Sequence, residues 1–165
     1  MYKRQPQGLR SVSISLERVG DVERSEGERE AALKRYRESL DICHRIVEQF
    51  GESPQSLRDV SISLERVGDV ERSEGEREAA LKRYRESLDL RRRIVEQFGE
   101  SPQSLADVVA SCFKMSQVDP LNAVKHLTEA KRISDFMAER NWLTADQSQW
   151  PTILKQLLDS LDGEE

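Results

Sequence analysis

The sequence has few of the residues that build covalent or metal-held frameworks. Only two cysteines, Cys43 and Cys112, occur in 165 residues, and their spacing fits no disulfide or metal-binding motif. The two histidines, His44 and His126, also lie outside metal-ligand spacings such as H-x3-H. We therefore expect core or ordinary helix residues at these four positions, no metal or cofactor, and a reducing compartment such as the cytoplasm.

Long apolar runs and an excess of positive charge are also absent. No stretch approaches the roughly 18 apolar residues of a membrane span, and no signal peptide is visible. The net charge is −5, and the basic runs Leu81–Arg85 and Arg91–Arg93 have acidic neighbours, as on a solvated helix surface. The glycines form no phosphate loop, because "VGDVERSEGE" lacks the Lys-Ser/Thr that follows the second glycine. These absences argue against a membrane protein, a nucleic-acid binder and an enzyme.

What the sequence does contain is an internal repeat. Hydrophobic residues make up 36% and charged residues 35% of the chain, proportions that suit elongated helical repeats with much surface per residue. The stretch "VGDVERSEGEREAALKRYRESLD" occurs twice without change. When the chain is shifted by 48 residues, Val12–Leu57 aligns with Val60–Leu105, and only three of 46 positions differ. A fixed period of this length indicates a solenoid of repeated helix pairs.

The three differing positions are adjacent. The first copy has Ile42, Cys43 and His44 where the second has Leu90, Arg91 and Arg92. Because both copies keep even their surface charges, the identity indicates recent duplication or homogenised DNA. Identity at a surface position is therefore no sign of function in this chain.

Each unit is predicted to form two helices. In the second unit the apolar residues recur at three- and four-residue steps, which is typical of one helix face; they are Leu57, Val60, Leu64 and Val67. We expect this helix to begin at Ser56, with Asp59 as its capping-box partner. Gly75 is expected to provide the turn, and a second helix is predicted over Glu76–Phe98 with Gly99 as its C-terminal cap.

These residues resemble the tetratricopeptide repeat, whose pattern is W-x2-L-G-x2-Y, then A-x3-F, then P. The corresponding residues are Leu64, Val67, Gly68, Ala80, Tyr84 and Ser87, and in the first copy Leu16, Val19, Gly20, Ala32, Tyr36 and Ser39. The chain departs from the pattern, since Leu64 replaces Trp, Glu71 replaces Tyr, the closing Pro is absent and the period is 48. Units of this length look like those of kinesin light chains and of bacterial repeat proteins. The resemblance covers Pro6–Arg140 and implies an all-α, right-handed α-solenoid of antiparallel helix hairpins, a superhelix with a C-terminal capping helix.

Five segments follow from this organisation. They are residues 1–5, a probable artefact; residues 6–53 and 54–101, two tetratricopeptide-like repeats; residues 102–141, a degenerate third repeat; and residues 142–165, a linker, a capping helix and a polar tail. "MYKRQ" can be read as GTG-TAT-AAG-AGA-CAG, which resembles a transposon end used for sequencing libraries; the alternative is an ordinary basic N-terminus. On the first interpretation the chain is a fragment whose gene begins upstream.

The last two segments have their own helix signals. In the third repeat Asp119 is predicted as an N-cap with Pro120 at the first helical position, and Ala123 corresponds to Ala80 of the second unit. A short amphipathic helix is predicted over Trp150–Leu161. Because a terminal repeat must cover the open end of a stack, we expect this leucine-rich helix to be the cap.

Two functions remain compatible with the sequence. The first is a non-catalytic protein-interaction scaffold that holds a peptide or a partner helix in a concave groove. The second is a structural or regulatory segment of a larger multidomain bacterial protein, which mediates self-assembly or domain coupling. We expect a monomer, or weak self-association through an uncapped N-terminal repeat.

The resemblance also implies where a partner would bind. In the family, ligand contacts come mainly from the first helix of each unit, on the face away from the second helix. Transferred to this chain, that face carries Glu17, Asp21, Arg24, Glu65, Asp69 and Arg72, with Phe113 and Gln117 in the third unit. Since two of the three charged groups in each full unit are acidic, we expect a partner segment that contains Lys or Arg, with an apolar residue set against Phe113. The alternative is that these are solvated surface charges without a partner.

Overall fold

In the computed structural model, which describes residues 5–163, the chain is all-α. Over this range it forms seven α-helices and a short 3-10 turn, and no strand. The helices are α1 (Pro6–Ser25), α2 (Arg29–Phe50), α3 (Pro54–Ser73), α4 (Arg77–Phe98), α5 (Pro102–Val118), α6 (Ala123–Glu139) and α7 (Trp150–Asp162), and the 3-10 turn is Pro120–Asn122. The all-α class is thus confirmed. The artefact proposed for residues 1–5, apart from Gln5, lies outside the described residues, as do the last two residues of the polar tail.

Two compact units divide the chain, Met1–Leu90 and Arg91–Glu165. The division falls inside α4, and therefore inside the predicted second repeat. In the first unit α1 packs on α2, and α2 packs on α3. In the second unit α5 packs on α6, and α6 packs on α7. Consecutive helices thus pack in pairs, as expected for helix hairpins.

Glycines end the helices where the sequence predicts turns. Gly27 and Gly75 lie in the turns after α1 and α3, with φ of 84° and 85°. Gly51 and Gly99 follow α2 and α4 with φ of 87° and 91°. Residues with a Cβ adopt such left-handed conformations at a cost, so glycine stops each helix without strain.

The start of α3 differs from the prediction. Its N-cap is Ser53, whose Oγ accepts a hydrogen bond from the backbone N–H of Ser56 at 3.0 Å. In return Ser56 Oγ accepts the backbone N–H of Ser53 at 2.9 Å, and Pro54 occupies the first helical position, where no N–H is needed. The prediction of Ser56 as N-cap is therefore wrong by three residues, because a serine takes the place that Glu or Gln usually holds in a capping box. Ser101 begins α5 in the same way.

In the predicted third repeat, α6 begins through the 3-10 turn. Asp119 stands directly before this turn, as predicted, but its side chain makes no capping hydrogen bond. Its carboxylate instead accepts from Asn122 Nδ2, at 3.1 and 3.0 Å. Ala123, the counterpart of Ala80, is buried at the start of α6.

The core of the first unit lies between α2 and α3. Eight buried side chains form it: Ala32, Tyr36, Leu40 and Cys43 from α2, and Val60, Leu64, Val67 and Val70 from α3. The residues from α3 lie on the apolar face that the sequence spacing predicts. Burying one such valine or leucine side chain contributes about 1.5–3 kcal/mol. This contact therefore accounts for much of the stability of the unit.

Within each hairpin a glycine lets a tyrosine ring lie against the first helix. A Cβ on Gly20 would stand 2.7 Å from Tyr36 Cε1, and one on Gly68 would stand 3.0 Å from Tyr84 Cε1. Both tyrosine rings are fully buried, so they have little room to move. The glycine of the repeat pattern is thus required by packing.

We expect Gly68→Ala to lower the free energy of unfolding by about 1–3 kcal/mol, because the added methyl group overpacks the tyrosine ring. Gly8→Ala is the matched control, since a Cβ there meets no atom within 4 Å. That change should raise stability by up to about 1 kcal/mol through helix propensity. Urea denaturation measures both. Equal effects of the two substitutions would contradict the packing role of Gly68.

Candidate functional site

The structure places the predicted groove residues on three helices. Glu17, Asp21 and Arg24 lie on α1, Glu65, Asp69 and Arg72 on α3, and Phe113 and Gln117 on α5. The first six belong to the first unit and the last two to the second unit.

In the first unit the acidic residues of α1 contact neighbouring helices. Glu17 Oε1 accepts hydrogen bonds from Ser39 of α2 at 3.1 Å and from Ser63 of α3 at 2.6 Å. Asp21 accepts hydrogen bonds from the Tyr36 hydroxyl at 2.7 Å and from Arg66. Both carboxylates thus join α1 to the next two helices.

Arg66 of α3 is the centre of this contact. Its guanidinium pairs with Asp21 and lies 3.4 Å, Nε to Oε2, from Glu17. It also stands 5.7 Å from the centre of the Tyr36 ring. Burial, together with the hydrogen bond to Asp21, raises the pKa of Tyr36 to about 12. Sequence reasoning missed Arg66, because a charged residue among other charges on a helix is usually solvated.

The acidic residues of α3 are engaged as well. Asp69 accepts a hydrogen bond from the Tyr84 hydroxyl at 2.7 Å and lies 3.6 Å from Arg24. Burial, with help from Asp69, raises the pKa of Tyr84. Glu65 accepts a hydrogen bond from Ser87 at 3.1 Å. The predicted groove charges of the first unit therefore belong to a network between helices.

These charges differ in their access to a partner. The side chain of Glu17 is 13% exposed, whereas those of Asp21 and Arg24 are 45% and 44% exposed. Arg72 is exposed as well. A partner could therefore contact Asp21, Arg24 and Arg72 more readily than Glu17.

A buried carboxylate accompanies this network on α3. Glu71 is only 2% exposed, and its oxygens lie 3.6 Å from Arg37 of α2 and 3.6 Å from Arg83 of α4. In the first copy the corresponding residue, Glu23, lies 3.4 Å from Arg35, the counterpart of Arg83. The acid that replaces the usual tyrosine of the repeat pattern is thus held between two arginines.

Among the residues that distinguish the two copies, Cys43, Arg91 and Arg92 contact helices that follow them. Cys43 lies 3.7 Å from Ser63 Oγ, whereas Arg91 donates to Ser111 Oγ, the residue equivalent to Ser63, at 2.7 Å. Arg92 donates to Glu129 of α6 through two nitrogens, Nε at 3.0 Å. The two copies thus make different contacts at this position, although the serine partner is the same in both.

The second unit contains an apolar groove between α5 and α7, which we call the α5/α7 groove. Its lining residues are Val109, Ala110, Phe113, Trp150, Ile153 and Leu154, and its volume is about 290 Å³. Phe113 is 38% exposed and Ile153 is 44% exposed, while Leu154 is buried. Gln117 is exposed one helical turn beyond Phe113.

The cysteines are core residues, as predicted. Cys43 and Cys112 are buried and free. Burial raises the pKa of the Cys43 thiol and raises that of Cys112 to about 12. Both thiols are therefore protonated at neutral pH, which makes them poor nucleophiles.

The histidines differ in burial. His44 is exposed, whereas His126 is buried with Nε2 3.7 Å from Asp119. Across residues 5–163 no group of three or more His, Cys, Asp or Glu side chains is placed to hold a metal ion.

Comparison with known sequences identifies no family for the chain. No protein-family model matches the chain, and no curated protein matches it significantly. Among the described helices, none has the length and apolar character needed to cross a bilayer.

We expect Glu71→Gln to lower the free energy of unfolding by about 1–3 kcal/mol, because it leaves two arginines around a buried neutral group. Glu23→Gln is the matched control, because Glu23 is the equivalent residue of the first copy and has one arginine, Arg35, near it. Its loss should be smaller. Thermal and urea unfolding compare the two variants, and equal losses would contradict the role of the arginine pair.

Arg92→Ala should remove the pairing with Glu129 and lower stability by about 1.5–3 kcal/mol at pH 7. Burial raises the pKa of the Glu129 carboxyl, but the hydrogen bond and the charge of Arg92 lower it further, so the pKa lies below its usual value. The pair therefore stabilises the fold above the unfolded pKa of about 4.3, and this stabilisation is lost as pH falls through the folded pKa.

Urea unfolding at pH 7 and at about pH 3 tests this pH dependence. The Arg92→Ala deficit should shrink at the lower pH, because the pair loses its attraction as the Glu129 carboxyl becomes protonated. His44→Ala, at the exposed equivalent position, should be neutral at both pH values. A deficit that is independent of pH would show that Arg92 stabilises by packing alone.

Proposed function

We propose that this chain is a non-catalytic protein-interaction scaffold that holds a segment of a partner protein in the α5/α7 groove. The observation that carries the proposal is the exposure of Phe113 and Ile153 on an apolar lining. Burying such a side chain against a partner is favourable by about 1.5–3 kcal/mol. The groove volume lies at the lower limit of about 300 Å³ for small-molecule sites, so it suits one or two apolar side chains of a peptide.

The preference for a Lys- or Arg-containing partner stays a prediction. On α1 it depends on Asp21, because Glu17 is largely buried under its serine donors. A basic partner would have to share Asp21 with Arg66. Exposed charges of this kind chiefly change association rate and specificity, so the preference should weaken as salt is added.

The repeat class and the location also belong to the proposal. A tetratricopeptide-like packing of each hairpin is supported by the glycine–tyrosine contacts at Gly20 and Gly68 and by the full burial of Ala32 and Ala80. The right-handed superhelix remains a prediction from the resemblance. The cytoplasmic location remains a prediction from the cysteine content.

The alternative function is a structural or regulatory segment of a larger protein, which acts in self-assembly or domain coupling. Its domain-coupling form is favoured by the exposed valines of α1, which are Val12, Val19 and Val22. Such a surface suits contact with another helix more than contact with water.

A peptide-array screen with the full chain tests the scaffold proposal. We expect bound peptides to share an apolar side chain, and Phe113→Ser to weaken their binding by about tenfold, which corresponds to about 1.4 kcal/mol. Phe98→Ser is the control, since Phe98 is similarly exposed at 45% but lies outside the groove. The groove assignment fails if no peptide binds, or if both substitutions have the same effect.

A further inference from the structure

Helix α1 exposes an apolar face whose residues recur on α3, where they are buried. The α1 face consists of Val12, Leu16, Val19 and Val22, and its three valines are 46%, 46% and 56% exposed. The residues 48 positions later are the same, namely Val60, Leu64, Val67 and Val70, and each is at most 2% exposed. One set of side chains thus occurs in two environments.

The buried residues of α3 show which helix surface packs against such a face. On α3 these residues pack against the face of α2 that carries Ala32, Tyr36, Leu40 and Cys43. The face of α1 is identical in sequence, and the backbone is helical over the same positions. A helix with the α2 face would therefore fit α1 by the same contacts.

The charges around the α1 face favour the same occupant. Arg66 of α3 pairs with Glu17 and Asp21, which precede it by one repeat. Its counterpart on α1, Arg18, is exposed. A preceding hairpin would bring two carboxylates to Arg18, in the positions that Glu17 and Asp21 hold toward Arg66.

Glu23 is a second charged residue that a preceding hairpin could pair. Glu71 lies between Arg37, from the preceding repeat, and Arg83. Glu23 has the equivalent of Arg83 in Arg35, and its Oε2 is buried without a hydrogen bond from any described residue. An arginine placed as Arg37 is would approach this oxygen.

We propose that the α1 face is a docking site for a repeat hairpin of this type, whose second helix carries an uncovered α2-like face and which belongs to another polypeptide. The hairpin provides an Ala-x3-Tyr-x3-Leu-x2-Cys face, two carboxylates for Arg18 and an arginine for Glu23. A second copy of this chain is a poor occupant, because its own α2 is already covered by α3. The site lies in the first unit and is independent of the function proposed for the α5/α7 groove.

The first experiment attaches the proposed occupant to the full chain. A copy of residues 6–53 is fused ahead of Pro6, and hydrogen exchange is measured at the original α1. We expect the amides of Val12–Val22 to exchange about tenfold more slowly than in the unfused chain, which corresponds to about 1.4 kcal/mol. Unchanged exchange would overturn the proposal.

A charge swap makes the fusion experiment specific. Glu17→Lys with Asp21→Lys in the added copy should place like charges opposite Arg18 and reverse most of the protection. Arg18→Glu in the original α1 should restore it, whereas Arg18→Glu alone in the unfused chain should change little. If the charge swap leaves the slowed amide exchange unchanged, any added helix covers the face, which contradicts the stated partner.

Two measurements in solution test the source of the hairpin. A protease site placed between the added copy and Pro6 lets the fusion be cut after it has folded; exchange at the same amides should stay slow, and loss of protection on cleavage would overturn the assignment to another polypeptide. Sedimentation of the full chain alone should show a monomer. A dimer that Val19→Asp abolishes would mean that a second copy covers α1, which would also overturn the proposal.

Discussion

The fold of the first unit depends on the contact between α2 and α3. A hairpin alone can bury only the faces that its two helices turn toward each other, so the stripe of Val60, Leu64, Val67 and Val70 needs the preceding hairpin. The same stripe on α1 stays largely exposed. Since the residues are identical, the neighbouring helix decides their burial, and the stability of each repeat depends on the one beside it.

Polar groups at this contact determine which helix fits. Arg66 meets two carboxylates of the preceding repeat, and Glu71 meets Arg37. Burying charges costs solvation, so such pairs add less stability than apolar contacts of similar size, but a helix that lacks the partner leaves a charge uncompensated. The apolar residues therefore provide the attraction, while the charges discriminate among helices. Arg91 adds a further polar contact, since it stands where the first copy has a cysteine and donates to Ser111.

The sequence predicted the helices better than the site, for physical reasons. Apolar spacing and glycine turns are local, so the predicted bounds of α4 and α7 agree within one residue. The start of α3 is the exception, because a serine capping box at Ser53 replaces the expected signal. The role of Arg66 depends on which carboxylates the next hairpin brings near it, and no local pattern records that. The α5/α7 groove depends on Phe113 and Ile153, which are 40 positions apart and meet only through packing.

The third repeat loses its charge network at the position where the groove opens. Phe113 and Gln117 of α5 stand where α3 has Glu65 and Asp69, whose hydrogen-bond donors in α4 are Ser87 and Tyr84. In the register set by Ala123, those donors become Ala130 and Leu127 of α6, which are both buried. Each donor and its acceptor have thus been replaced together, so neither of these two pairs leaves a buried hydroxyl without its acceptor. Helix α5 therefore does not need the acidic side chains with which Glu17 and Asp21 join α1 to its neighbours, and the exposed Phe113 can take one of these positions.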